Sequence, residues 1–150
     1  MKTSLKFMII GLVAVLAACS GEDRQIYDGD ASTNQTLLRI ENQSYDMRLE
    51  DGESASLEIK VLSSTHASHD RTFNVEYVDD NIEDGAVDYD FDHSVTIPAN
   101  KYIGSFMVNV ENSHLDGHNY NLKLEVTAPD SGDDIVLENN MTTINFKPNE

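Results

Sequence analysis

From residue 37 onward, apolar and polar side chains alternate with a period of two, the pattern of strands that bury one face. Leu37, Leu38 and Ile40 open a short strand, and Tyr45, Met47 and Leu49 form another, closed by the turn-forming Glu50-Asp51-Gly52. Ala55, Leu57, Ile59 and Val61 alternate with Ser56, Glu58 and Lys60; Phe73, Val75 and Tyr77 alternate with Asn74, Glu76 and Val78. Val87, Tyr89 and Phe91 alternate with Asp88, Asp90 and Asp92, and Val95 and Ile97 follow until Pro98 stops them. Phe106, Val108 and Val110, then Tyr120, Leu122, Leu124 and Val126, repeat the pattern; residues 135–137 are a brief run, and Ile144 and Phe146 close the chain. No window of a dozen residues past Cys19 offers a helical apolar face, and no internal repeat is visible. Eight or nine short strands separated by turns predict an all-β chain folded as an antiparallel β-sandwich. Phe73, Val75, Phe106, Val108, Leu122 and Leu124 are the expected core.

The start of the chain follows other rules. Lys2 and Lys6 precede an apolar run of 12 residues, 7–18. A helix needs about 20 residues to cross a hydrocarbon core, so the run fits the apolar region of a cleaved signal instead. It ends in Leu16-Ala17-Ala18-Cys19, where small residues suit a peptidase pocket and the next residue supplies a thiol. This resembles the bacterial lipobox, which implies a leader over residues 1–18 and a diacylglycerol on Cys19. Each buried methylene of such an anchor contributes about 0.8 kcal/mol. The following Ser20-Gly21-Glu22-Asp23 resembles the surface-export signal of Bacteroidota lipoproteins, which implies an outer-membrane lipoprotein facing the cell exterior. Residues 19–36 are polar and aperiodic, an acidic flexible tether, and residues 37–150 make the sandwich domain.

Charge narrows the partners. Removing Lys2 and Lys6 with the leader leaves 8 of the 10 basic residues against 27 acidic ones, a formal charge of −19. That opposes nucleic acid, and it opposes an anionic lipid surface except through the lipid anchor. The single cysteine excludes a disulfide framework and any multi-cysteine zinc or iron–sulfur site. With Cys19 lipidated, no thiol is left as a nucleophile. No Gly-x-Ser-x-Gly elbow, phosphate loop or His-Glu-x-x-His motif occurs, and a domain of this size offers little cleft for a carboxylate pair. The expectation is a protein that is not an enzyme.

The strand motifs carry a family resemblance. Glu50-Asp51-Gly52-Glu53 followed by SASLEIKVLSS resembles the first strand of a Calx-beta-like domain, and TFNVEY at 72–77 its second. Ala86-Val87-Asp88-Tyr89 resembles the family's small-x-Asp-Tyr step; VTIPA at 95–99 and GSFMVNV at 104–110 resemble its later paired strands, and YNLKLEV at 120–126 the penultimate one. The same order, with Ile97-Pro98-Ala99, Leu115-Asp116-Gly117 and Tyr120-Asn121-Leu122, resembles immunoglobulin-like domains of Bacteroidota outer-membrane lipoproteins associated with glycan uptake. The resemblance covers residues 46 to 146 and implies an immunoglobulin-like sandwich. Some Calx-beta domains hold calcium with an acidic pair after the strand matching 107–110. Here that place reads Glu111-Asn112, with His118 where the family often has Glu, so one acid stands where two are expected.

Strands that simply run up and down gather alternate loops at one end. Loops 63–70, 92–94 and 111–118 would then share an end and bring together His66, His69, His93, His114 and His118, imidazoles of the kind that bind transition metals. Loops 79–86, 98–102 and 127–134 would share the other, with Asp79, Asp80, Glu83, Asp84, Asp130, Asp133 and Asp134 as candidate calcium ligands. The competing reading for both groups is solvated charge, with no cofactor bound. Tyr27, Tyr45 and Tyr102, the tyrosines least explained by the core pattern, are candidates to stack on sugar, with ordinary packing as the competing reading. Asp88, Asp90 and Asp92 read as a solvated face or as edge protection. The sequence therefore supports a lipid-anchored, non-catalytic binding module that takes a glycan or docks on an outer-membrane glycan-uptake partner. The alternatives are a structural or adhesive surface module and a calcium- or metal-dependent binding domain.

Overall fold

In the computed structural model of the chain the described residues are 35–112, 115, 117–128 and 134–149. They form ten strands and, among the described residues, no helix: β1 (Thr36–Ile40), β2 (Ser44–Leu49), β3 (Ser54–Ser63), β4 (Arg71–Asp80), β5 (Val87–Phe91), β6 (Ser94–Ile97), β7 (Ile103–Asn112), β8 (Tyr120–Thr127), β9 (Ile135–Leu137) and β10 (Met141–Pro148). Every apolar run with period two is a strand. Residues 1–18, expected as a leader, and Cys19 lie outside the described residues; β1 begins at Thr36, one residue inside the expected tether.

The strands make two five-stranded sheets, β5-β7-β3-β1-β9 and β2-β10-β8-β4-β6, packed as a sandwich over one core. Phe73, Phe106, Phe146, Leu38, Ile59, Ile97, Leu122, Leu124 and Ile144 are fully buried between them. All six residues expected in the core are there. Removing such side chains from water is the main favourable term in folding.

The ten strands follow only seven courses, because three courses change sheet midway. β5 pairs antiparallel with β7, and β6 pairs antiparallel with β4. The start of β4 (Arg71 opposite Ile97) and the start of β7 (Ile103 opposite Leu62) lie at the same end of the sandwich. There the Ser63 amide donates to the Tyr102 carbonyl at 2.8 Å and the Asn100 amide to the Ala67 carbonyl at 2.7 Å. β5 and β6 therefore run in one direction as a single course that steps from the first sheet to the second at Asp92-His93. β1 with β2, and β9 with β10, are built the same way. The first and last courses lie side by side, so β1 pairs parallel with β9 and β2 parallel with β10, and the remaining ladders are antiparallel.

The simple up-and-down alternation fails for this reason. Residues 92–94 reverse nothing, so loops assigned to alternate ends exchange places. Loops 64–70 and 98–102 meet at one end, joined by Asp134, whose carbonyl accepts from the Thr36 amide at 3.0 Å while the Thr36 and Thr65 hydroxyls lie 2.7 Å apart. Loop 81–86 lies at the other end beside the start of β8, where the Asn121 amide donates to Asn81 Oδ1 at 2.6 Å. Gly104 marks where β6 presses against β7: a Cβ there would lie 2.5 Å from the Thr96 carbonyl oxygen.

Candidate binding surfaces

On the outer face of the first sheet, β3, β7 and β5 present their polar positions in cross-strand rows. Ser54 lies opposite Glu111 and Glu111 opposite Asp88; Ser56 lies opposite Asn109 and Asn109 opposite Asp90. These residues line an open depression of about 410 Å³. Ser56 Oγ donates to Asn109 Oδ1 at 2.7 Å, which leaves the Asn109 amide hydrogens for an incoming acceptor. The carboxylates of Asp88, Asp90 and Glu111 have no hydrogen-bond or ion-pair partner among the described residues. Two of them, Asp88 and Glu111, face each other directly, an arrangement that disfavours the sheet unless something bridges them. Two hydroxyls, one amide and three carboxylates in a shallow trough form a set of acceptors and donors with unspent capacity.

Round the edge of β5, the sandwich is closed by a different group. Tyr89 points inward and its hydroxyl donates to Asp80 Oδ2 at 2.8 Å, while Asp80 Oδ1 accepts from the Ile82 amide at 3.2 Å. Burial and the Asp80 carboxylate together push Tyr89 up to about 12. Tyr77 is raised as well, by desolvation first and then by the charges of Asp80 and Asp79. One carboxylate thus ties β4 in the second sheet to β5 in the first.

The redistribution of loops separates the residues that the sequence grouped. His66 lies on loop 64–70, edge-on to Tyr102 with ring centroids 5.4 Å apart, and His69 follows on the same loop. His93 sits at the sheet crossing against Phe91, 4.7 Å between centroids, and His118 lies at the opposite end, tilted against Tyr120. His114 is outside the described residues. The acidic candidates divide likewise. Asp79, Asp80, Glu83 and Asp84 belong to the end that holds Asn81, and Asp134 to the end that holds Tyr102; Asp130 and Asp133 lie outside the described residues. Asp79 faces Lys123 at 3.8 Å and Asp80 is committed to Tyr89. Among the described residues no three His, Cys, Asp or Glu side chains converge to hold a metal ion. Tyr45 is half-buried against the core rather than free to stack, Tyr102 packs on His66, and Tyr27 lies outside the described residues.

At the position where the family resemblance placed calcium ligands, Asn112 is wholly buried. Its Nδ2 donates to the Glu50 carbonyl at 2.8 Å and its backbone brackets the 50–53 turn, donating to the Glu53 carbonyl at 2.9 Å and accepting from the Gly52 amide at 2.8 Å. Asn112 therefore fastens the turn before β3 to the end of β7.

No protein-family model and no curated protein matches the sequence. The fold is similar to solved structures at low identity. The apo Calx CBD1 domain superposes with a TM-score of 0.59 at 15% identity, over 77% of this chain and 98% of that domain. The calcium binding domain CBD12 of CALX1.1 gives 0.58 at 15%, over 75% of this chain and 44% of the other. A Bacteroides ovatus protein ascribed a carbohydrate-binding role gives 0.55 at 14%, over 76% of this chain, which spans 38% of its length. The chain has a Calx-beta-like, immunoglobulin-like sandwich fold.

Proposed function

We propose that the protein is a non-catalytic glycan-binding module, held at the outer surface of an outer membrane by lipid on Cys19. The observation that carries the reading is the trough of the first sheet. Sugar hydroxyls donate to carboxylates and accept from amides and hydroxyls, so a row of such groups can engage several hydroxyls of one ligand. Asp88, Asp90, Asn109, Glu111, Ser54 and Ser56 offer that set on a rigid sheet, so little ordering is needed on binding. The similarity of fold to the Bacteroides ovatus protein supports the same class of ligand. The high negative charge favours neutral or cationic sugars over acidic ones.

A glycan array followed by calorimetry tests it. Binding is expected to neutral or amino sugars, and Asp90→Ala and Asn109→Ala should each weaken it about tenfold or more, the worth of one or two good hydrogen bonds. An array without binding, or binding indifferent to both substitutions, refutes the trough and leaves a structural or adhesive module. The second reading, a calcium-dependent module, is favoured by the likeness to a domain described as calcium binding. Calcium takes six to eight oxygens, and the described residues do not assemble them, so Asp130 or Asp133 would have to contribute. A melting temperature that rises with calcium in the wild type and not in Asp133→Asn would establish that reading; an unchanged one removes it.

A further inference from the structure

The step of β5 and β6 between sheets leaves part of β4 without a neighbour. β6 pairs with Arg71, Thr72, Phe73 and Asn74, and the Val75 amide makes the last bond, 2.9 Å to the His93 carbonyl. Beyond it, residues 76–80 have β8 on one side and, among the described residues, no strand on the other. The register shifts between Tyr77 and Asp79, so an extra residue interrupts the alternation, and Tyr77 and Val78 are both exposed, 51% and 41%. With Met141 these are the large apolar side chains most exposed among the described residues. Edges are ordinarily blunted by charge; this one sets two adjacent apolar side chains beside open backbone, with Glu76 and Asp79 on the outer face of the same strand.

We propose that residues 76–80 are a docking edge for an extended basic segment of another protein, which adds to the second sheet as a further strand. Strand addition supplies main-chain hydrogen bonds along the open side of β4, and alternate side chains supply selectivity. Charge chooses the occupant. Two copies of this edge would oppose Glu76 and Asp79 to their own kind. Residues 19–34 of the chain itself carry Glu22, Asp23, Asp28 and Asp30 against Arg24, which this edge repels. A segment alternating arginine or lysine with aliphatic residues matches both the carboxylates and the Tyr77–Val78 pair.

The probe is a peptide of alternating arginine and valine, with two controls: a copy N-methylated on alternate amides and a copy with glutamate for arginine. Saturable binding to the full-length protein is expected for the parent peptide alone, and Val78→Lys should weaken it about tenfold or more. Met141→Lys adds the same charge two strands away and should leave binding unchanged. Equal losses from both variants, equal affinity for the N-methylated copy, or no binding of the parent overturns the proposal. A wild-type dimer that Val78→Lys dissolves assigns the edge to a second copy and also overturns it. Should Val78→Lys melt early, amide exchange on the wild type decides: protection at residues 76–80 on adding peptide is expected, and protection confined elsewhere refutes the docking edge.

Discussion

Replacing Gly104 by alanine tests the sheet crossing on which both surfaces depend. Gly104 sits opposite Val61 in the β3–β7 ladder, in a backbone conformation open to any residue, so space alone demands glycine. An added Cβ would lie 2.5 Å from the Thr96 oxygen, 2.9 Å from the Thr96 carbonyl carbon and 3.1 Å from Ile97 Cγ1. The first two belong to backbone, so β6 must move away from β7 as a unit. Forced shifts of this kind cost about 1–3 kcal/mol, against a gain of about 0.4–1 kcal/mol from the stiffer unfolded chain. The net expectation is a loss of about 1–2 kcal/mol, or about 4–8 °C in Tm for a domain of this size. Urea unfolding followed by circular dichroism measures it. Gly52 is the control: its φ is +74° and nothing lies within 4 Å of an added Cβ. Gly52→Asn should therefore be tolerated, since asparagine adopts the left-handed region, whereas Gly104→Asn should be worse than Gly104→Ala. A Gly104→Ala protein as stable as the wild type would show that β6 does not press on β7.

Leu124 is fully buried in the second sheet, and Leu124→Ala should destabilise by about 2–5 kcal/mol in the same assay; a loss under about 1 kcal/mol would deny it a core position. Tyr89 is raised from 10.0 to about 12 in the folded protein, so its stabilisation is complete below pH 10 and lost as the pH rises through 12. Two units are about 2.7 kcal/mol without screening, and partial exposure reduces this to about 1 kcal/mol. Stability should fall over that window and the slope should shrink in Tyr89→Phe; an unchanged slope would remove the Tyr89–Asp80 tie. Cys19→Ser should abolish incorporation of labelled fatty acid and leave unprocessed precursor, and a processed, membrane-bound variant would refute the lipid anchor.

Much of the fold was legible in the sequence because burial imposes a period of two. Most runs between Leu37 and Phe146 alternate, and the sandwich turns their apolar residues inward except where the bulge in β4 leaves Tyr77 exposed. What alternation does not encode is direction. Asp92-His93 looks like a turn because it separates two short apolar runs, yet the backbone passes through it without reversing. That single step moved loop 64–70 away from His118 and set Asp79, Asp80, Glu83 and Asp84 at the end opposite Asp134, so among the described residues neither the imidazoles nor the carboxylates cluster as the loop count required. The trough was hidden for a related reason. Ser56, Asn109 and Asp90 are unremarkable polar positions on separate strands, and only the order β5-β7-β3 and its register set them in a row. Asp88 and Asp90 were visible as an outward-facing series; their neighbours were not.

The two surfaces share a cause. Had β5 continued into β6 within the second sheet, the course would have covered β4 along its whole length and left β7 as the edge of the first sheet. The trough would then lack Asp88 and Asp90, its third strand, and residues 76–80 would be paired. By stepping across at Asp92-His93, the chain gives β5 to the first sheet and exposes the lower half of β4. The Tyr89–Asp80 bond spans the gap the step opens, where no backbone ladder joins the sheets. The Asp92 carboxylate accepts from the Met107 amide at 2.8 Å, and the Asp92 amide donates to the Met107 carbonyl at 3.0 Å, so the step is fastened to β7 from both sides. Loosening it through Asp92→Ala removes the side-chain acceptor and leaves the backbone bond. Because both surfaces are built from the same course, that substitution should weaken glycan and peptide binding together, whereas Asn109→Ala and Val78→Lys each act on one. Losses from Asp92→Ala confined to one ligand would show that the two surfaces are positioned independently.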